Sequence, residues 1–178
     1  MNRMKELHDP TVAWFPAPVV LVSCTNEKTT NIITIAWTGV VCSRPPLISV
    51  SIRPSRYSHE LISDSREFVV NIPTIKQLEG VKLCGTKTGR DMNKWHACGF
   101  TPEKAIKVSV PLIRECPVNV ECKVVKTLPD MGTHTIFIGE VQAIHVDPQL
   151  NSILDVAPLC YSPKSGIFGK SLALREEI

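Results

Sequence analysis

Val118-Asn119-Val120-Glu121-Cys122-Lys123-Val124 alternates apolar and polar residues without a break. A period of two sends successive side chains to opposite faces of an extended chain, so the pattern predicts a half-buried β-strand. Leu128-Pro129-Asp130-Met131-Gly132 then supplies turn residues, and Thr135 to Val146 returns as a long second strand, completing a hairpin. Ile136 and Ile138 share one face of the return strand. Val141 and Ala143 continue that face only if the phase slips, which predicts a bulge at Gly139-Glu140.

Outward from this hairpin, the same strand signals recur. Val19-Val20-Leu21-Val22 follows Pro16 and Pro18, and Ile32 to Trp37 follows the polar turn Thr25 to Asn31. Leu47 to Ile52 follows Pro45-Pro46, and Phe68 to Ile72 is closed by Pro73. Two short helices fit around the last of these. One spans Ser58 to Ser65 with Ser58 of capping type, and the other spans Thr74 to Leu83 with Thr74 as its cap. Gly85 to Pro111 lacks periodicity and is long for a structureless connection, a length that points to function. The tail from Leu159 to Gly169 reads as irregular, with apolar anchors that pack back on the body. About six strands, two short helices and no βαβ repeat predict a mainly β fold, an antiparallel barrel.

Composition fits one domain. The chain has 178 residues, 43% of them apolar, and carries 14 prolines against 9 glycines. Such a balance favours rigid chain reversals over long helices. A formal charge of +3, dispersed along the chain, is too small for a surface that tracks nucleic-acid phosphates. No apolar run reaches the ~18 residues of a membrane helix, and the first ten residues lack an apolar signal core, so a cytoplasmic protein is expected. Seven cysteines without a C-x-x-C pair read as reduced thiols, several of them buried. His96-Ala97-Cys98 has no second ligand pair at metal spacing, so no metal site is expected.

The chain contains no G-x-G-x-x-G after a strand, no Walker loop, no G-x-S-x-G and no H-E-x-x-H. Three stretches remain where strands meet loops. Asn31 to Thr38 sets Trp37 among small hydroxyl residues, and alone it reads as a plug at a barrel end. Ser49 to His59 ends a strand with Arg53, Arg56 and three serines before a helix opens. It suits a phosphate dianion as well as it suits a capped helix with two solvated arginines. Cys84 to Trp95 offers two glycines with Thr, Lys and Arg donors, and alone is a donor-rich loop.

In order, these stretches resemble the flavin reductase-like, FMN-binding split-barrel family, and most closely its flavoredoxin branch. The resemblance rests on Asn31 to Trp37, Ser43 to Ser58, Glu67 to Pro73, Cys84-Gly85 with Thr88 to Asp91, Glu115 to Cys122 and Ile138 to Val141. It spans about residues 10 to 170. It implies one domain, with a barrel core at about 10–148 and a tail at about 149–178, assembled as a homodimer with FMN held non-covalently near the interface. Asn31, Thr34, Ile35, Ala36 and Trp37 would then line one side of the flavin, with Ser51, Ile52 and Arg53 along the isoalloxazine edge. Ser58, Arg56 and the helix start would hold the phosphate. Thr88, Gly89, Asp91 and Lys94 would come from the long loop, His134 from the hairpin turn, and Phe168 from the tail of this or the partner subunit. Lys94 would stabilise the reduced flavin near N1. The implied activity is that of an oxidoreductase taking electrons from NAD(P)H or a protein donor. An electron carrier serving a protein partner and a flavin-binding barrel without turnover are the alternatives.

Overall fold

The protein is described from a computed structural model, which covers residues 5, 7–150 and 156–170. The strands and helices follow in the order β1 (Ala17–Pro18), β2 (Val20–Thr25), β3 (Thr30–Ile35), β4 (Thr38–Ser43), β5 (Pro46–Ile52), α1 (Tyr57–Ser65) and β6 (Glu67–Ile72). After a 3-10 turn over Ile75–Gln77 come α2 (Leu78–Thr86), α3 (Lys94–Cys98), β7 (Pro102–Glu103) and β8 (Leu112–Ile113). The chain then runs through β9 (Val118–Leu128), β10 (Thr135–Val146), β11 (Leu159–Ser162) and β12 (Ile167–Lys170).

Seven strands form one antiparallel sheet in the order β3-β2-β6-β9-β10-β5-β4. Its two edge strands, β3 and β4, are consecutive in the chain with only Ala36 and Trp37 between them. That connection curls the sheet round on itself, and Ser51 N–H of β5 donates to the Trp37 carbonyl at 2.9 Å where the edges meet. Since β3 and β4 do not pair, the barrel is split. Around it, β1, β11 and β12 make a three-stranded sheet that folds the tail back on the body, with Val19 N–H donating to the Leu159 carbonyl at 2.9 Å.

Every residue of β2 is buried, because both faces of this strand are covered. Val20, Val22 and Cys24 face a barrel core with Val50, Phe68, Cys122 and Phe137, capped by Leu61 and Ile62 of α1. Val19 and Leu21 face a second core with Ile32, Val81, Cys84, Trp95 and Leu159 beneath α2 and α3. Phe68 and Phe137 are wholly buried, and truncating either to Ala would cost about 3–5 kcal/mol. Close packing also explains Gly139. A Cβ there would lie 2.5 Å from the Phe68 ring.

Several sequence expectations need correction. The strand expected over Ile32 to Trp37 ends at Ile35, and a further strand, β4, follows it; Val40 and Val41 of this edge strand are exposed. The helix expected from Ser58 starts at Tyr57 with Arg56 as N-cap and no side-chain cap. Ser58 is buried instead, because its hydroxyl accepts from the Asn31 amide. The helix expected over Thr74 to Leu83 is split into the 3-10 turn and α2, with Thr74 capping the turn. Gly85 to Pro111 contains α3, which Asn93 caps through His96 N–H, as well as β7. The tail forms the β11–β12 hairpin; residues 151–155 and 171–178 of the expected tail lie outside the described residues.

β9 departs from expectation most instructively. Its alternation is real, yet Asn119 and Glu121 on the polar face are buried as fully as their apolar neighbours. The 104–113 segment covers that face and pairs its backbone with those side chains. On β10, Thr135, Phe137 and Gly139 form the buried face, while Ile136 and Ile138 share the half-buried opposite one. Two register shifts occur, at Ile138/Gly139 and at Val141/Ala143, where a single bulge at Gly139-Glu140 was expected.

Candidate functional site

Where the barrel splits, β3, the 36–37 connection and the end of β5 form one wall of a cleft, and α2 with the β11–β12 hairpin forms the other. Its volume is about 470 Å³, within the roughly 300–1,000 Å³ typical of small-molecule sites. Thr34, Ile35, Ala36 and Trp37 line it from β3 and its end, and Ser51, Ile52, Arg53 and Arg56 line it from β5 and the following turn. His134 closes one side and Phe168 of the same chain the other.

At the mouth, Trp37 is 42% exposed and meets the His134 ring edge-on, with centroids 4.6 Å apart. Arg53 Nε donates to His134 Nε2 at 3.4 Å, so the ring proton sits on Nδ1, which contacts Thr133 Oγ1 at 2.8 Å. Burial, together with the Arg53 and Arg56 charges, lowers the His134 pKa from the ordinary imidazole value. Across the cleft the rings of Tyr161 and Phe168 pack 5.1 Å apart. Thr34 Oγ1 is committed to the Val81 carbonyl at 2.6 Å, which ties β3 to α2 and sets the cleft width.

A narrower polar recess of about 60 Å³ continues from the cleft, sharing Ile33, Arg56 and Gly85 with it. Asn31, Ser58, Thr88, Gly89 and Lys94 line this recess. The Asn31 side chain donates to Ser58 Oγ at 2.8 Å, fixing β3 against the start of α1. A Cβ at residue 89 would lie 2.1 Å from Asn31 Oδ1, so only glycine lets this loop approach so closely. The start of α1 has no side-chain cap, and among the described residues no carboxylate pairs with Arg53 or Arg56. An uncapped helix start, a free guanidinium and hydroxyl groups make a seat for a phosphate dianion.

Lys94 lies in the recess rather than the wide cleft. It is buried, and its Nζ donates to the carbonyls of Ile32 at 2.8 Å and Cys84 at 3.0 Å. Desolvation lowers its pKa, while the nearby Cys84 and Cys24 thiols oppose the shift. An ammonium has three donors, and among the described residues the third has no protein acceptor.

Of the residues that the resemblance assigns to the flavin, Asp91 alone lines neither space; its N–H turns back to the Thr88 carbonyl at 3.4 Å. Several lining residues were not foreseen. Ser55, Gly85 and Lys87 belong to stretches already singled out for their donors. Val19, Val81, Lys82, Tyr161 and Gly166 carry no local signal, since only the packing of α2 and the tail hairpin brings them to the cleft. Among the described residues no group of His, Cys, Asp or Glu is placed to hold a metal, and all seven cysteines are free thiols. Among them, too, no helix is long and apolar enough to cross a membrane.

The family model for the flavin reductase like domain matches residues 12–165. The chain belongs to that family, and its fold is the family's split barrel. An uncharacterized protein of Archaeoglobus fulgidus is 40% identical over 132 residues, covering 74% of this chain and 72% of its own length. The flavoredoxin of Desulfovibrio vulgaris superposes with a TM-score of 0.90 at 28% identity, covering 98% of this chain and 97% of that one. A flavoredoxin from Methanosarcina acetivorans gives a TM-score of 0.87 at 25% identity, covering 99% and 95%.

Proposed function

We propose that this protein is an FMN-binding oxidoreductase of the flavin reductase or flavoredoxin type, working in the cytoplasm as a homodimer. One observation carries the reading: an apolar cleft sized for a fused ring system opens directly into a polar recess suited to a phosphate. Family membership and the likeness to flavoredoxins support it. When bound, FMN supplies the redox chemistry, accepting hydride or electrons from NAD(P)H or a protein donor and passing them on.

The chain's own residues bind, orient and tune. Arg56, the Ser58 region and the α1 start hold the phosphate, with Thr88 and Gly89 closing over it. The Thr34 to Trp37 backbone and the Ser51 to Arg53 strand flank the ring. Lys94 offers its remaining N–H to the ligand and holds positive charge in a water-poor recess, where it favours an anionic partner. Trp37, His134 and Phe168 frame the opening through which a donor or acceptor approaches. Val40 and Val41, exposed on the edge strand β4, suit a second copy of the chain.

The test is a visible spectrum of the purified protein after incubation with FMN, together with a melting curve. FMN at 100 times its Kd should add about 2.7 kcal/mol of stability. A colourless protein whose melting temperature ignores FMN would overturn the proposal. NADH or NADPH consumption with added FMN marks a reductase. Tightly held FMN that only a reduced protein donor can reduce marks a carrier, the reading that the flavoredoxin likeness favours.

A further inference from the structure

Cys84 and Cys98 differ from the other cysteines in their relation to each other. Their Sγ atoms lie 3.6 Å apart, and no other pair of sulfurs among the described residues is in such contact. The pair joins α2 to the last residue of α3, two helices already packed together. A disulfide has an S–S length of about 2.05 Å, so the two sulfurs, already in contact, must draw closer by about 1.5 Å to bond. Cys84 is buried and Cys98 half-buried, which orders the chemistry: an oxidant reaches Cys98 first. Lys94 stands one turn before Cys98 and donates to the Cys84 carbonyl, so one buried cation lies near both cysteines. Burial raises both thiols, and Lys94 opposes that rise at each.

We propose that Cys84 and Cys98 are a reversible thiol–disulfide site that low-molecular-weight disulfides of the glutathione class oxidise. The Cys98 thiolate attacks one sulfur of the oxidant, breaking its S–S bond and releasing one thiol. Cys84 then gives up its proton and attacks Cys98 Sγ, displacing the second thiol as the Cys84–Cys98 bond forms. Two protein thiols are oxidised, one external disulfide is reduced, and the two protons leave with the released thiols. The ring so closed contains residues 85–97, including the Lys87–Gly89 segment of the recess, so oxidation fixes that wall in place. The inference rests on the geometry of the pair and stands whether or not the recess holds a flavin.

The experiment uses the full-length protein, reduced with dithiothreitol, incubated with oxidised glutathione, blocked with iodoacetamide and digested with trypsin without reduction. The expected product is Leu83–Lys87 linked to Trp95–Lys104, with an intact mass lower by two hydrogens and no retained glutathione. The melting temperature should rise by several degrees, as expected for closing a loop of this length, and fall back with dithiothreitol. Cys98→Ser should lose both the link and the rise, while Cys116→Ser should keep both. Glutathione retained on Cys98, alkylation of both thiols after oxidation, or a link from Cys84 to Cys116 would each overturn the proposal. The mass readout on the unmutated chain decides the matter even if a variant fails to fold.

Discussion

Two charges lie buried at separate places on the barrel, and their bonding differs. The Glu121 carboxylate is fully covered and saturated: Oε1 accepts from Ile106 N–H at 2.9 Å and His145 Nε2 at 2.5 Å, and Oε2 accepts from Lys107 and Val108 N–H at 2.6 and 3.0 Å. The Lys94 ammonium has two carbonyl acceptors and faces a recess with its third donor. A closed set of bonds leaves nothing for a ligand, so Glu121 belongs to the architecture, clamping the 104–110 segment over β9. An open set on a buried charge is costly to maintain, and a ligand that completes it recovers that cost. Full bonding therefore separates a structural charge from one that could still accept a partner.

The largest expected effect comes from breaking the closed set. Glu121→Ala strands three backbone donors and His145, and should cost about 3–5 kcal/mol in urea unfolding. Faster amide exchange at residues 106–108 should accompany it. Next comes the open set. Lys94→Met should destabilise the protein less than Glu121→Ala and weaken FMN binding about tenfold or more by fluorescence titration, since one charge-assisted bond is worth roughly 1.5–3 kcal/mol. An equal loss of stability in both variants, with FMN affinity intact, would erase the contrast between them.

Arg56→Gln sharpens the contrast within the recess. It should weaken FMN about tenfold but leave riboflavin, which lacks the phosphate, unaffected. The smallest effect concerns acid. Burial alone would raise the Glu121 pKa, but the hydrogen bonds from Ile106, His145, Lys107 and Val108 outweigh it and leave the carboxyl below its ordinary value. The unfolded state thus takes up a proton more readily than the native state. This contribution to stability is complete above the ordinary carboxylate range and is lost as pH falls through the lowered folded value. Glu121→Gln should flatten the acid limb of a stability–pH curve.

Much of the fold was legible locally. Alternation at Val118–Val124, the return over Thr135–Val146 and prolines before β2 and β5 located strands, because side-chain period and proline geometry act over a few residues. β4 escaped notice because an edge strand needs no buried face, and its exposed Val40 and Val41 offer no alternation against a core. α3 escaped because five residues are too few to show a helical period. Within the site, Asn31, Ser58, Thr88 and Gly89 lay in stretches marked by small polar residues at strand ends, and the structure gathers them in one recess. Tyr161 and Val81 had no such mark.

The chain alone determined the class: a mainly β fold, its central hairpin, and the three segments richest in donors. Each of these is written in neighbouring residues, where periodicity and turn chemistry act. Tertiary structure decided what covers each face. Alternation states that Asn119 and Glu121 share a side of β9, but only the 104–113 segment, folding across from elsewhere, makes that side an interior. It likewise decided that Lys94 meets the carbonyls of Ile32 and Cys84, leaving one donor to the recess. Such pairings join residues distant in sequence, and their energy depends on solvent exclusion that no local stretch can express.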